Sequence, residues 1–331
     1  MTPEKSPARA FWARPPETGT IRVAELAPPG DGELLVETIY SAISRGTESL
    51  VHQGRVPENQ YDAMRAPFQE GAFPGPVKYG YMNVGRIASG PDGAAEKTVF
   101  CLYPHQTAYV VPQDAVIAVP DEVPAARAVL AANMETALNA VWDGRLERSD
   151  RVAVIGAGVV GCLIAYVATR RCGAEVDLID IDAAKAPVAE ALGLSLCTPE
   201  AAGRDFSHVF HASGSDAGLQ LALSIAGFEA EIIELSWYGD RQVSLPLGEH
   251  FHSRRLVLRS SQVGHVAPAF RDRWTRRDRL EHALSLLADP ALDVLISGES
   301  RFEDLPDVMN TLIANPAGVL CHRIAYDPPP R

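Results

Sequence analysis

The chain has 331 residues, 47% of them hydrophobic, and a formal net charge of −12. That length suits two domains with sizeable cores, and the acidic balance argues against nucleic acid or an anionic membrane surface as a partner. No apolar stretch reaches membrane-spanning length, and Met1–Arg14 carries Pro3 and Pro7 but no apolar signal core. The five cysteines, Cys101, Cys162, Cys172, Cys197 and Cys321, form no CxxC pair and are odd in number. Free thiols in a reducing cytoplasm are expected.

The first third is rich in β-branched and turn residues. Strands are expected at Glu33–Tyr40, Val84–Gly90 and Ala108–Pro112, with a long Pro/Gly loop from Pro67 to Gly80. The pattern changes after Pro120–Pro124. A helix is expected over Ala125–Trp142, its buried stripe marked by Val129, Leu130, Met134, Leu138, Val141 and Trp142. Strands then alternate with helices: Val152–Ile155, Val176–Asp180, His208–Ala212, Ala230–Leu235 and Leu256–Ser260. Such alternation implies a parallel sheet covered on both faces. The charged stretch Arg271–Glu281 reads as a lead-in to a helix at His282–Leu287. A further helix is expected at Phe302–Ile313 and a last strand at Gly318–Tyr326.

The most specific motif is Val154-Ile155-Gly156-Ala157-Gly158-Val159-Val160-Gly161. It reads as a buried strand, a tight turn and the opening of a helix that ends at Gly173. Gly156 permits the turn, Gly158 lets a diphosphate approach the backbone, and Gly161 lets the helix pack on the strand. The diphosphate then meets the free amides of Val159, Val160 and Gly161 at the positive end of the helix. Asp180 closes the second strand about 20 residues on, where an acid receives the adenosine ribose. With no Arg in the next few positions, and Lys185 the nearest cation, this predicts NAD(H) over NADP(H). Ser213-Gly214 follows the next strand and reads as a turn beneath the nucleotide.

Three stretches, Tyr40-Ser41-Ala42-Ile43-Ser44-Arg45-Gly46-Thr47-Glu48, Tyr79-Gly80-Tyr81-Met82-Asn83-Val84-Gly85-Arg86-Ile87 and the glycine turn, resemble the medium-chain dehydrogenase/reductase superfamily. The first also resembles the branch that contains bacteriochlorophyllide a dehydrogenase. The resemblance spans nearly the whole chain. It implies an α/β protein with a GroES-like β-rich catalytic domain at 1–120 and 289–331, and a doubly wound Rossmann domain at 121–288. Zinc-dependent members place a Cys, a His-Glu pair and a further Cys or acid where this chain has Ser44, Tyr81-Met82 and a position near Ala132. None is a good zinc ligand. The segment between Gly90 and Ala108 is too short for a structural zinc lobe, so no metal is expected.

Without zinc, side chains must handle the proton or polarise the substrate oxygen. Tyr81 is the first candidate; the alternative is a packed tyrosine filling the vacated space. Thr47 falls near the start of the family's proton relay and Glu48 near its metal-side acid; the alternative is a hydrogen-bonded turn that braces the loop. Arg45 has two readings, a contact to the cofactor diphosphate or a surface ion pair. Cys101 and His105 are spaced like ligands, but two ligands make no site. The segment Trp237-Tyr238-Gly239 follows a strand near the expected nicotinamide and reads as core or pocket wall. There is no YxxxK, no GxSxG and no legible pairing of Ser, His and acid, so acyl transfer lacks support.

The leading reading is a zinc-free NAD(H)-dependent oxidoreductase on an alcohol/carbonyl pair. The alternatives are an enone or quinone reductase and a protein that holds NAD(H) without turnover. A cytoplasmic homodimer is expected, joined through the edge strand Leu256–Ser261.

Overall fold

The computed structural model describes residues 7–91, 93–315 and 317–327. Pro3, part of the N-terminal stretch read above, lies outside them. The chain divides into two compact units, 1–132 with 296–331, and 133–295. The seams expected after residues 120 and 288 lie 12 and 7 residues before these. The cause at the first seam is the short helix Ala125–Ala128, which packs on the strands Glu33–Ile43 and Asn83–Ser89 of unit 1. The single helix expected over Ala125–Trp142 is therefore two, with Ala131–Gly144 following a break at Val129 and Leu130, both fully buried.

Unit 1 is built from two sheets. One runs Ile296–Arg301, Cys321–Ala325, Glu33–Ile43, Asn83–Ser89, Thr98–Cys101, Val116–Ala118, with Ala108–Pro112 also paired to Glu33–Ile43. The other is Glu17–Ala24, Ala8–Arg14, Val77–Lys78, Glu70–Gly71. The strand from Glu33 is longer than its sequence pattern suggests. Alternation fades after Ile39 because Ser41, Ala42 and Ile43 are all buried. The helices Arg45–His52 and Leu305–Ala314 pack together, and Phe11, Ile43, Leu305, Met309 and Ile324 share one core.

Unit 2 holds six parallel strands in the order Leu196–Cys197, Glu175–Ile179, Arg151–Ile155, Phe206–His211, Ala226–Glu234, Val257–Ser260. Numbered within the unit, that is 3-2-1-4-5-6, the doubly wound order whose direction reverses between the first and fourth strands. Ligands in such sheets lie outside the carboxyl ends at that reversal. The expected helix after the glycine turn is α-helical over Val159–Val167 and wider over Ala168–Cys172, and it closes on Gly173 at φ +72°. The stretch Arg271–Glu281 is a correction: a helix runs from Arg276 to Leu286, started by a Thr275–Asp278 capping box. Arg279 on that helix is fully buried, because Glu135, Asn139 and the carbonyls of Val263 and His265 take its five N–H groups. Among the described residues no helix is long and apolar enough to cross a membrane.

Candidate functional site

The strand Arg151–Ile155 is buried along Val152–Ile155 and delivers the chain into the glycine turn. Gly156 sits at φ +104°, which a side chain rarely adopts, and its amide donates to Ile179 O at 2.8 Å. A Cβ on Gly161 would lie 1.8 Å from Gly156 O, so the helix can approach the turn only as glycine. A Cβ on Gly158 would meet nothing within 4 Å. That opening lies at the N-cap of Val159–Val167, where Gly158, Val159 and Val160 are half-exposed. The first amides of a helix have no partner inside it, so these residues suit a diphosphate.

Asp180 is more committed than its place in the pattern suggests. Its Oδ2 accepts from Ala157 N at 2.7 Å and Lys185 Nζ at 2.8 Å, and its Oδ1 from Asp182 N at 2.9 Å. Lys185 closes the tight turn Ala183–Lys185 and caps the helix Ala186–Ala191 that follows. A cation therefore stands beside the acid at the end of the second strand. The backbone of Ser213 adjoins the same turn: a Cβ on Gly156 would come within 2.8 Å of its N and Cα. Gly214, at φ +67°, donates its amide to Ser236 Oγ at 3.1 Å.

At the carboxyl ends of Phe206–His211 and Ala226–Glu234 the sheet also holds a group that the sequence does not disclose. His211 is fully buried and stands opposite Glu234 in the strand register. A carboxylate only accepts, so Nδ1 of His211 donates to Glu234 Oε2 at 2.7 Å, and Nε2 lies 2.6 Å from the Ser213 hydroxyl. Glu234 is held further by Ser236 N at 2.6 Å and the Tyr238 hydroxyl at 3.2 Å. Burial and the Glu234 charge push the Tyr238 phenol upward, which keeps it a donor. Tyr238 thus supports Glu234. Only the strand pairing makes this group visible, because nothing in a HxS spacing points to an acid 21 residues beyond the serine.

In unit 1, Tyr81 is half-buried and donates to Ser44 Oγ at 2.5 Å. Burial pushes its phenol up to about 12, against the hydrogen bonds from Ser44 and Thr47, with the Glu48 charge adding to the rise. It is a neutral donor at physiological pH. Glu48 is 2% exposed; Oε1 accepts from Ser44 N at 2.8 Å and Oε2 from His105 Nε2 at 2.9 Å. His105 Nδ1 in turn accepts from Ser41 Oγ at 2.7 Å, and Ser41 meets the Tyr326 hydroxyl at 2.9 Å. Both carboxylate oxygens of Glu48 are thus engaged within the fold. Arg45 donates to Val319 O at 3.0 Å, tying its helix to the segment before the last strand. Cys101 donates to Ala115 O at 3.4 Å, away from His105's partners.

The family's zinc positions offer the Ser44 hydroxyl, the Tyr81 phenol, the buried Met82 thioether and the Ala132 methyl. Zinc takes thiolate, imidazole and carboxylate, so this donor set does not fit it.

No protein-family model matches the sequence. Over 217 residues the chain is 25% identical to an uncharacterized zinc-type alcohol dehydrogenase-like protein of Haemophilus influenzae. The match takes in 61% of this chain and spans 59% of that relative's length. A protein of Sinorhizobium meliloti 1021 solved with NADP bound superposes with a TM-score of 0.76 at 18% identity, over 97% of this chain and 100% of its own. An Escherichia coli CFT073 alcohol dehydrogenase complexed with NADH gives 0.75 at 16% identity, over 97% and 100%. At these identities the likeness is one of fold alone: a GroES-like β-rich part with a doubly wound Rossmann part.

Proposed function

We propose that the chain is an NAD(H)-dependent oxidoreductase that acts on an alcohol/carbonyl pair without zinc. The observation that carries this reading is the glycine turn. Gly156 and Gly161 are sterically obligatory, and Gly158 leaves an opening at the start of a helix. When bound, the nicotinamide supplies the carbon that takes or gives a hydride. The amides of Val159, Val160 and Gly161 hold the diphosphate, with Ser213-Gly214 beside the turn and Asp180 toward the ribose. Tyr81 gives its hydrogen bond to the substrate oxygen in exchange for Ser44, with Thr47 and Glu48 as positioning residues. NADH fluorescence titration, followed by a screen of alcohols, aldehydes and enones, tests the reading. Failure to bind NADH at millimolar concentration ends it.

Zinc independence rests on the donors at Ser44, Tyr81, Met82 and Ala132. Elemental analysis of chelator-treated protein should find no stoichiometric zinc; about one retained ion per chain, the load of a four-coordinate site, contradicts it. One observation favours a second reading, reduction of an activated double bond with NADPH. The Lys185 ammonium stands 2.8 Å from Asp180, where it can offset a 2′-phosphate. Tighter NADPH than NADH binding, with turnover of enones alone, selects that reading.

We place the protein in the cytoplasm on account of its five free thiols. We also propose a homodimer through Val257–Ser260, the edge strand of the unit 2 sheet, where Val257 and Leu258 are exposed. Light scattering that gives a monomer at micromolar concentration refutes the dimer.

A further inference from the structure

We infer that Ser213, His211 and Glu234 form an activated nucleophile, so that the chain carries an acyl-transfer activity toward small neutral esters, apart from any hydride chemistry. Three observations support it. The first is the order of contacts: Glu234 to Nδ1 at 2.7 Å, Nε2 to Ser213 Oγ at 2.6 Å. This is the arrangement in which an acid fixes the imidazole tautomer and the free nitrogen takes the serine proton. The second is access. His211 is fully buried while Ser213 is an exposed residue, so the base is held rigidly and the serine stands at the surface. The third is room. A Cβ on Gly218 would lie 2.3 Å from Ser213 Oγ and 2.7 Å from His211 Nε2, so a bare glycine at that position preserves the contact.

Ser213 also sits at the start of the helix Asp216–Ile225. Its Oγ is within 2.8 Å of Ser215 Oγ and 3.3 Å of Ser215 N, and Ser215 is the N-cap. A helix N-terminus carries a partial positive charge that favours an oxyanion formed there. Asp216 and Glu234 stand close by, which disfavours anionic substrates and points to neutral acyl groups.

In the reaction, Ser213 Oγ bonds to the ester carbonyl carbon while its proton passes to His211 Nε2. The C–O bond to the leaving group then breaks, and the alcohol departs with that proton. Water adds to the acyl-serine, giving a proton to Nε2. The carboxylic acid is released as that proton returns to Ser213. Glu234 holds the imidazolium throughout.

The full-length protein is treated with a fluorophosphonate and, separately, with 4-nitrophenyl acetate. Neither needs nicotinamide, so the outcome is independent of the redox reading. One phosphonyl adduct per chain is expected, mapped to Ser213. Ser213→Ala should abolish it and lower nitrophenolate release about 100-fold or more; Glu234→Gln, which keeps the shape but loses the charge, should slow both at least about tenfold. Adducts confined to other residues, or nitrophenolate release unchanged in Ser213→Ala, overturn the inference.

Discussion

Each unit of the molecule contains a serine, a histidine and a glutamate in one hydrogen-bonded row, and the two rows differ in order and access. In unit 1, Ser41 and His105 are 1% exposed and Glu48 is 2%. There the glutamate takes Nε2 and the serine faces Nδ1. In unit 2 the glutamate takes Nδ1, the serine faces Nε2, and Ser213 is open to solvent. The sealed row joins Glu33–Ile43, the helix Arg45–His52, the loop at His105 and, through Tyr326, the end of the chain. A fully satisfied buried network stiffens a core. The open row ends on Ser213, an exposed residue. Residue types alone do not distinguish the two rows; burial and the order of contacts do.

The largest expected effect tests the brace. Glu48→Ala leaves Ser44 N and His105 Nε2 buried without an acceptor, and should cost about 3 kcal/mol of unfolding free energy. Ser213→Ala leaves one buried atom, His211 Nε2, without its partner where Glu48→Ala leaves two, and should cost less, about 1 kcal/mol. Urea denaturation of both variants decides the matter; equal losses would erase the distinction between the rows.

Next in size is Tyr81, the half-buried group beside the sealed row. Tyr81→Phe should lower kcat by about 100-fold with little change in NADH affinity. An unchanged kcat on a substrate found in the screen returns Tyr81 to packing, and unit 1 then contributes only structure.

A smaller effect belongs to the open side of unit 2. Lys185→Ala removes the cation beside Asp180 and should weaken NADPH relative to NADH by about fivefold, or roughly 1 kcal/mol. Asp180→Ser should narrow the gap instead. Titrations at one ionic strength measure both, and no change in the ratio for either variant removes this pair from cofactor choice.

The smallest signal is spectroscopic. Burial holds the Tyr81 phenol at about 12, above its ordinary 10.0. The folded state keeps that proton longer than the unfolded chain does. Its contribution to stability is therefore complete below pH 10 and lost as pH rises toward about 12. The difference in tyrosinate absorbance between wild type and Tyr81→Phe should appear near the upper value; a difference centred at 10 would mean Tyr81 is open to water.

Much of unit 2 is legible in the sequence. The glycine turn, five strands and the helix closing on Gly173 follow from periodicity and steric rules that act within a few residues. In unit 1, Ala8–Arg14 and Glu17–Ala24 carry no such signal. The first buries Ala8, Ala10, Phe11 and Ala13 in an irregular rhythm, and its partners, Glu17–Ala24, Val77–Lys78 and the segment at Gln106, are supplied by the fold. Arg279 is hidden for a similar reason. A charged run looks solvated until Glu135, 144 residues earlier, is seen to receive it.

The candidate sites divide along the same line. That Gly156, Gly158 and Gly161 make a tight turn opening onto a helix is local, because a missing Cβ and a positive φ are properties of one short segment. Which groups the Glu48 carboxylate meets, whether Lys185 reaches Asp180, and whether His211 joins Ser213 to Glu234 were decided by the tertiary structure. Ser41 meets His105 across 64 positions, and His211 meets Glu234 across 23. Hydrogen bonds at such separations are chosen by strand pairing and by the exclusion of water, which no window of sequence contains.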